Sequence, residues 1–184
     1  MFFMTSKIDD IIVSPNDSYF FDTNVWIFIF APVAQVKYDK QKKYSNLLRQ
    51  IKDRNALIWI NSLVISEYIN SVLRLEFKMW KERTGNGTAD YKRDFRCTQD
   101  YLSALIDVKQ QVNDILSCTE RRADDFNNIK VKEIIDSLDS SIDFGDAMIV
   151  DMCRRENSKY NNIKLVTDDK DITNKSYLFQ IITA

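Results

Sequence analysis

Four short apolar runs, spaced through the chain by longer helical patterns, set the limits on this fold. They are residues 18–21 (SYFF), 56–60 (ALIWI), 163–167 (IKLVT) and 177–183 (YLFQIIT). Each is strand-length and largely apolar, as expected for a strand buried on both faces. Between them the apolar spacing becomes helical. Tyr44, Leu47, Leu48 and Ile51 mark a helix over 38–55. Leu63, Ile65, Tyr68, Ile69, Val72 and Leu73 mark another, capped by Asn61 or Ser62 and running to about Arg83. Thr23 or Asn24 caps a short helix to about Phe30, closed by Pro32. The segment KERTGNGTAD, 81–90, holds two of the three glycines and reads as a loop. A long helix over 91–116 follows, with a short strand near Cys118 as one reading of 118–127. Helices are expected over 128–138 and, from Ser140 or Ser141, through 144–155 (FGDAMIVDMCRR). Strands alternating with helices predict an α/β fold: a three-layer α/β/α sandwich around a mostly parallel sheet. The 184 residues suit one domain spanning 1–184, with length left for a helical arm at about 74–117.

Several absences narrow the chemistry. The chain has no histidine, which removes the Ser-His-Asp triad, the Cys-His dyad and every histidine-bearing zinc site. Gly85, Gly87 and Gly145 cannot write a phosphate-cradling GxGxxG or GxxxxGK[ST] loop. Cys97, Cys118 and Cys153 make no CxxC, and so odd and sparse a set suits a reducing cytoplasm. The start MFFMTSKIDD lacks the basic and apolar regions of a signal peptide. No apolar run approaches the roughly 18 residues of a membrane span, so no membrane partner is expected. The net charge of -1 gives no overall pull on nucleic acid. What remains is chemistry on carboxylates, amines, hydroxyls or a bound metal.

The carboxylates are placed suggestively. Two apolar strands end in acid, at Asp22 and at Asp168-Asp169. The carboxyl ends of parallel strands line the functional crevice of open α/β sheets. Glu67, in LVISEYIN, and Asp146, in IDFGDAMIV, lie among apolar neighbours on predicted helices. A single such acid is ordinarily a turn, a cap or a solvated edge residue. Four of them sharing one crevice would repel by roughly 1–4 kcal/mol per close pair. A hard divalent cation, Mg²⁺ or Mn²⁺, would offset that repulsion through all-oxygen ligands and serve phosphate chemistry.

These residues resemble the PIN-domain ribonucleases. Asp22-Thr23-Asn24 is similar to that family's D-T/S-N motif after the first strand, and Ile65-Ser66-Glu67-Tyr68 to its helical glutamate. Asp146-Ala147-Met148-Ile149 matches D-A-x-I. Thr167-Asp168-Asp169-Lys170-Asp171-Ile172 matches T-x-D-x-D-F, with Ile172 in place of Phe. The resemblance covers about 18–183 and implies a metal-dependent endoribonuclease. Asp22, Glu67, Asp146 and Asp169 would be the catalytic, metal-binding acids. Thr23, Asn24, Asp143, Thr167, Asp168 and Asp171 would support them. The compact, VapC-type members are toxins of bacterial toxin–antitoxin pairs. The resemblance therefore carries three partners: RNA, an antitoxin protein and a second copy of the chain.

RNA also needs positive charge. Lys40, Lys42, Lys43 and their neighbours make one basic stretch. Lys92 and Arg93 lie in a second, interleaved with Trp80, Tyr91 and Phe95, whose rings could stack on bases. The plain alternative is solvated helix faces over core aromatics. Three other functions compete. A haloacid-dehalogenase-like phosphatase also places an aspartate after its first strand, but it needs D-x-D where this chain has Asn24. A receiver-type signalling domain lacks its early acidic pair. A catalytically silent helical interaction module would use the acids as surface caps.

Overall fold

The computed structural model describes residues 5–31, 38–124, 126–139, 141–160, 162–173 and 179–184. In chain order, β1 (Thr5–Lys7) and β2 (Ser18–Phe21) precede α1 (Thr23–Phe30) and α2 (Tyr38–Asp53). Then come β3 (Leu57–Ile60), α3 (Ser62–Thr84), α4 (Gln99–Ser117), β4 (Glu120–Arg121) and α5 (Val131–Asp136). The series closes with α6 (Phe144–Tyr160), β5 (Ile163–Val166), α7 (Lys170–Thr173) and β6 (Gln180–Thr183).

The apolar runs become strands because they are covered on both sides. Tyr19, Phe20 and Phe21 of β2 are wholly buried, as are Leu165 and Val166 of β5. The six strands form one sheet in the order β1-β6-β5-β2-β3-β4, and every described pairing is parallel. From β2 the chain steps outward through β3 to β4. It then returns across the sheet to lay β5 against the other side of β2. Right-handed crossovers running in opposite directions place their helices on opposite faces, which gives the α/β/α sandwich. Accordingly α1 packs with α2 and α3, while α5 packs with α6 and α6 with β5. The strand order reverses between β2 and β5, where doubly wound sheets open a crevice at their carboxyl edge.

Local chemistry sets the boundaries. Asn61 caps α3 by accepting from the Val64 N–H at 3.1 Å. Gly85 stops that helix at φ 68°, a left-handed position that costs glycine nothing. Asn55 takes the same conformation (φ 53°) after α2, where Ala56 N–H reaches back to the Ile51 carbonyl at 3.1 Å. No helix among the described residues is long and apolar enough to cross a membrane.

Several boundaries differ from expectation. The cap of α1 is Asp22, not Thr23 or Asn24, because its carboxylate accepts from the Thr23 N–H at 2.6 Å. The loop after α3 starts at Gly85, since residues 81–84 continue the helix. The single helix expected over 91–116 is two elements. Asp90 accepts from the N–H groups of Lys92 and Arg93 at 2.9 and 2.8 Å and starts a π-type turn, Tyr91–Phe95. Thr98 then caps α4 afresh, accepting from Tyr101 N–H at 3.1 Å. Helix α5 is shorter than 128–138, and α6 runs past 155 to Tyr160. Strand β1 was not anticipated at all. The last strand begins at Gln180; 177–178, like Pro32 and Ser140, lie outside the described residues.

Candidate active site

Pairing of β2 with β5 sets Phe21 opposite Val166, and the Asp22 N–H continues the ladder to the Val166 carbonyl at 3.0 Å. The two strand ends therefore deliver Asp22 and Thr167 side by side. Asp22 is 4% exposed and Thr167 is fully buried. A buried carboxylate must find donors, and Asp22 finds three. They are Thr23 N–H at 2.6 Å, Asn24 Nδ2 at 2.5 Å and Thr167 Oγ1 at 2.7 Å. Asn24 Oδ1 accepts from the Asp168 N–H at 3.1 Å, and Thr167 Oγ1 accepts from the Asp169 N–H at 3.0 Å. The turn carrying Asp169 is thus fastened to the turn carrying Asp22. Asp169 in turn accepts from the Asp171 N–H at 2.7 Å, ahead of α7.

Glu67 joins from the second turn of α3. It lies at the exposed rim, where Thr23 Oγ1 donates to its Oε2 at 2.8 Å. Asp146 comes from the first turn of α6. Its N–H donates to Asp143 Oδ1 at 2.9 Å, so Asp143 caps the helix that presents Asp146. A β-carbon on Gly145 would stand 3.3 Å from that same oxygen, so the glycine gives the cap its room.

These acids share one electrostatic neighbourhood. Burial pushes the Asp22 carboxyl up to about 6; the Thr167 and Thr23 donors oppose the rise, and the charges of Glu67 and Asp169 add to it. Burial also pushes Asp146 up, to about 7, with Asp143, Asp22, Asp169 and Glu67 each adding repulsion. Among the described residues, no group of three or more Asp, Glu or Cys side chains is gathered closely enough to hold a metal ion. The donor set still fits a hard cation by its chemistry: it is all oxygen and mutually repelling. Mg²⁺ characteristically takes one or two carboxylates and keeps several waters, so a closed cage is not required.

The expected basic residues fall in two regions, on α2 and in the turn between α3 and α4. Lys42 is exposed on α2, and Lys43 pairs with Asp9 at 2.8 Å. Lys92 and Arg93 occupy the turn between α3 and α4, at the far end of a helix that extends about 25 Å beyond Glu67. Arg93 is held to Asp94 by two contacts of 2.8 Å. Trp80, Tyr91 and Phe95 pack with Phe77 and Tyr101 in one ring cluster that joins the two helices. The sequence puts Tyr44 and Lys40 on one helix but does not show what they touch. Lys40 Nζ pairs with Asp168, and Tyr44 OH donates to Asp168 Oδ1 at 3.2 Å. Partners so distant along the chain leave no linear signal.

Among known proteins, the family model described as the PIN domain matches residues 19–176. No curated protein matches the chain.

Proposed function

The chain belongs to the PIN-domain family, whose members are nucleases, and from that premise we propose that it is a Mg²⁺- or Mn²⁺-dependent endoribonuclease. The observation that supports this is the convergence of Asp22, Glu67, Asp146 and Asp169, whose charges act on one another at the switch point of the sheet. These four would hold the metal. When bound, the ion supplies a Lewis acid that lowers the pKa of a water and offsets charge on the phosphoryl oxygens.

The chain's own groups do the positioning. The Thr23 and Thr167 hydroxyls hold Glu67 and Asp22 in place, each through one carboxylate oxygen, while the Thr23 N–H takes the other oxygen of Asp22. Glu67 keeps Oε1 to orient the attacking water. Water adds to phosphorus as the bond to the 3′ oxygen breaks. The departing oxygen takes up a proton, leaving a 3′-hydroxyl and a 5′-phosphate. Asn24 speaks against the phosphatase alternative. That chemistry needs a proton-donating acid here, whereas the Asn24 amide is committed to Asp22 and Asp168.

The same reading makes the chain a cytoplasmic, VapC-type toxin with an antitoxin partner and a second copy as its dimer mate. Hydrolysis of RNA in Mg²⁺ or Mn²⁺, compared with Asp22→Asn, tests the chemistry: undiminished cutting by the variant overturns it. Growth arrest on expression, relieved by the product of an adjacent gene, tests the toxin role.

A further inference from the structure

A crevice lined with acid must admit a polyanion if it is to cut RNA. Of the ion pairs among the described residues, that of Lys40 with Asp168 reaches this edge. The two partners are held very differently. Asp168 is 14% exposed at its side chain, receives Tyr44 OH at 3.2 Å, and has its own N–H on Asn24 Oδ1 at 3.1 Å. Tyr44 is itself fully buried, stacks on Phe28 with ring centres 5.7 Å apart, and accepts from Ala184 N–H at 3.2 Å. The acid is therefore anchored. Lys40 is 37% exposed at its side chain and stands at the first turn of α2, with its ammonium 5.6 Å from the Phe28 ring centre. It is the partner that can move, and it stands at the neighbour of Asp169.

We propose that Lys40 is the substrate-phosphate-binding residue of this site, held ready by Asp168 and transferred to a non-bridging oxygen of the entering phosphodiester. This rests on the nuclease reading above. Lysine suits the task, being a compact charge with rotatable donors on a flexible stem. Asp168 keeps Tyr44 and solvent when the ammonium leaves.

The test is binding of a fluorescein-labelled single-stranded RNA by the full chain in Mg²⁺, followed by anisotropy between 50 and 200 mM salt. Asp146→Asn serves as the parent to suppress cutting. Loss of one phosphate contact should flatten the salt slope by about 0.7, so Lys40→Ala should lose about 2.5-fold less affinity than its parent across that range. Lys40→Arg and the distant control Lys109→Ala should keep the parent slope. Asp168→Asn should tighten binding, because the phosphate no longer competes with an internal carboxylate. If Lys40→Ala does not fold, the double variant Lys40→Ala/Asp168→Asn removes both charges and gives the same readout. An unchanged slope in a parent that binds RNA overturns the role of Lys40 alone. A parent that binds no RNA overturns both this proposal and the nuclease reading.

Discussion

Asp22 is the more deeply buried of the two strongly shifted acids, yet Asp146 is pushed further, to about 7 against about 6. Desolvation leads in both. The difference lies in what answers it. On the β2–β5 side, Thr167 and Thr23 donate to Asp22 and recover part of the lost hydration. On the α6 side, the acids Asp143, Asp22, Asp169 and Glu67 add only repulsion to Asp146. One wall of the crevice is neutralised by hydrogen bonds. The other is left with repulsion alone.

The sharpest way to break that contrast is catalytic. Asp146→Asn and Asp22→Asn should each lower RNA cleavage in Mg²⁺ about 100-fold or more, exceeding the 10–100-fold typical of groups that only orient a ligand. Time courses on a labelled RNA would check this, and a variant retaining wild-type rates would refute the placement. Thr167→Val should cost about 1–3 kcal/mol in urea unfolding, since it strips a donor from a buried carboxylate. The Asp22 pKa should rise above 6 in that variant, whereas Thr167→Ser should restore both properties.

The pH dependence follows from the direction of the shifts. Both carboxyls hold protons more tightly folded than unfolded, so their contribution is fully present below the ordinary value of 3.8. It is lost as pH rises through about 6 for Asp22 and about 7 for Asp146. Metal-free protein should thus have a higher Tm at pH 5 than at pH 8. Added Mn²⁺ should raise Tm at pH 8 but not in Asp146→Asn. A metal-free Tm that climbs from pH 5 to 8 would contradict the electrostatic picture. The smallest effect belongs to the cap. Asp143→Asn keeps the bond to the Asp146 N–H, so it should change stability by only a few tenths of a kcal/mol. It should lower the Asp146 pKa by removing the strongest of its repelling charges, which carbon-detected NMR titration would reveal.

Much of this architecture is legible in the chain because buried parallel strands are unmistakable runs. SYFF and IKLVT need no alternation to be read, and the acids that end them mark the carboxyl edge. Strand β1 is invisible for the opposite reason. Thr5–Lys7 is three residues at a sheet edge with only its middle residue partly buried, and it exists by pairing with β6. The break at 96–98 escaped notice because the apolar spacing continues through it. Only the Asp90 and Thr98 side chains, bonding to nearby N–H groups, divide the helix. At the candidate site, the sequence names the four acids only through their motifs. The attachment of Lys40 and Tyr44 to Asp168 is not readable there, since it spans a helix and most of the sheet order.

The bond from Thr167 to Asp22 joins groups 145 residues apart. During synthesis from the amino end, β3 follows Asp22 soon, but β5 is made only after most of the described chain. The crevice therefore cannot form until β5 has been made. A truncated translation product that stops short of β5 would carry the first acid without the cleft.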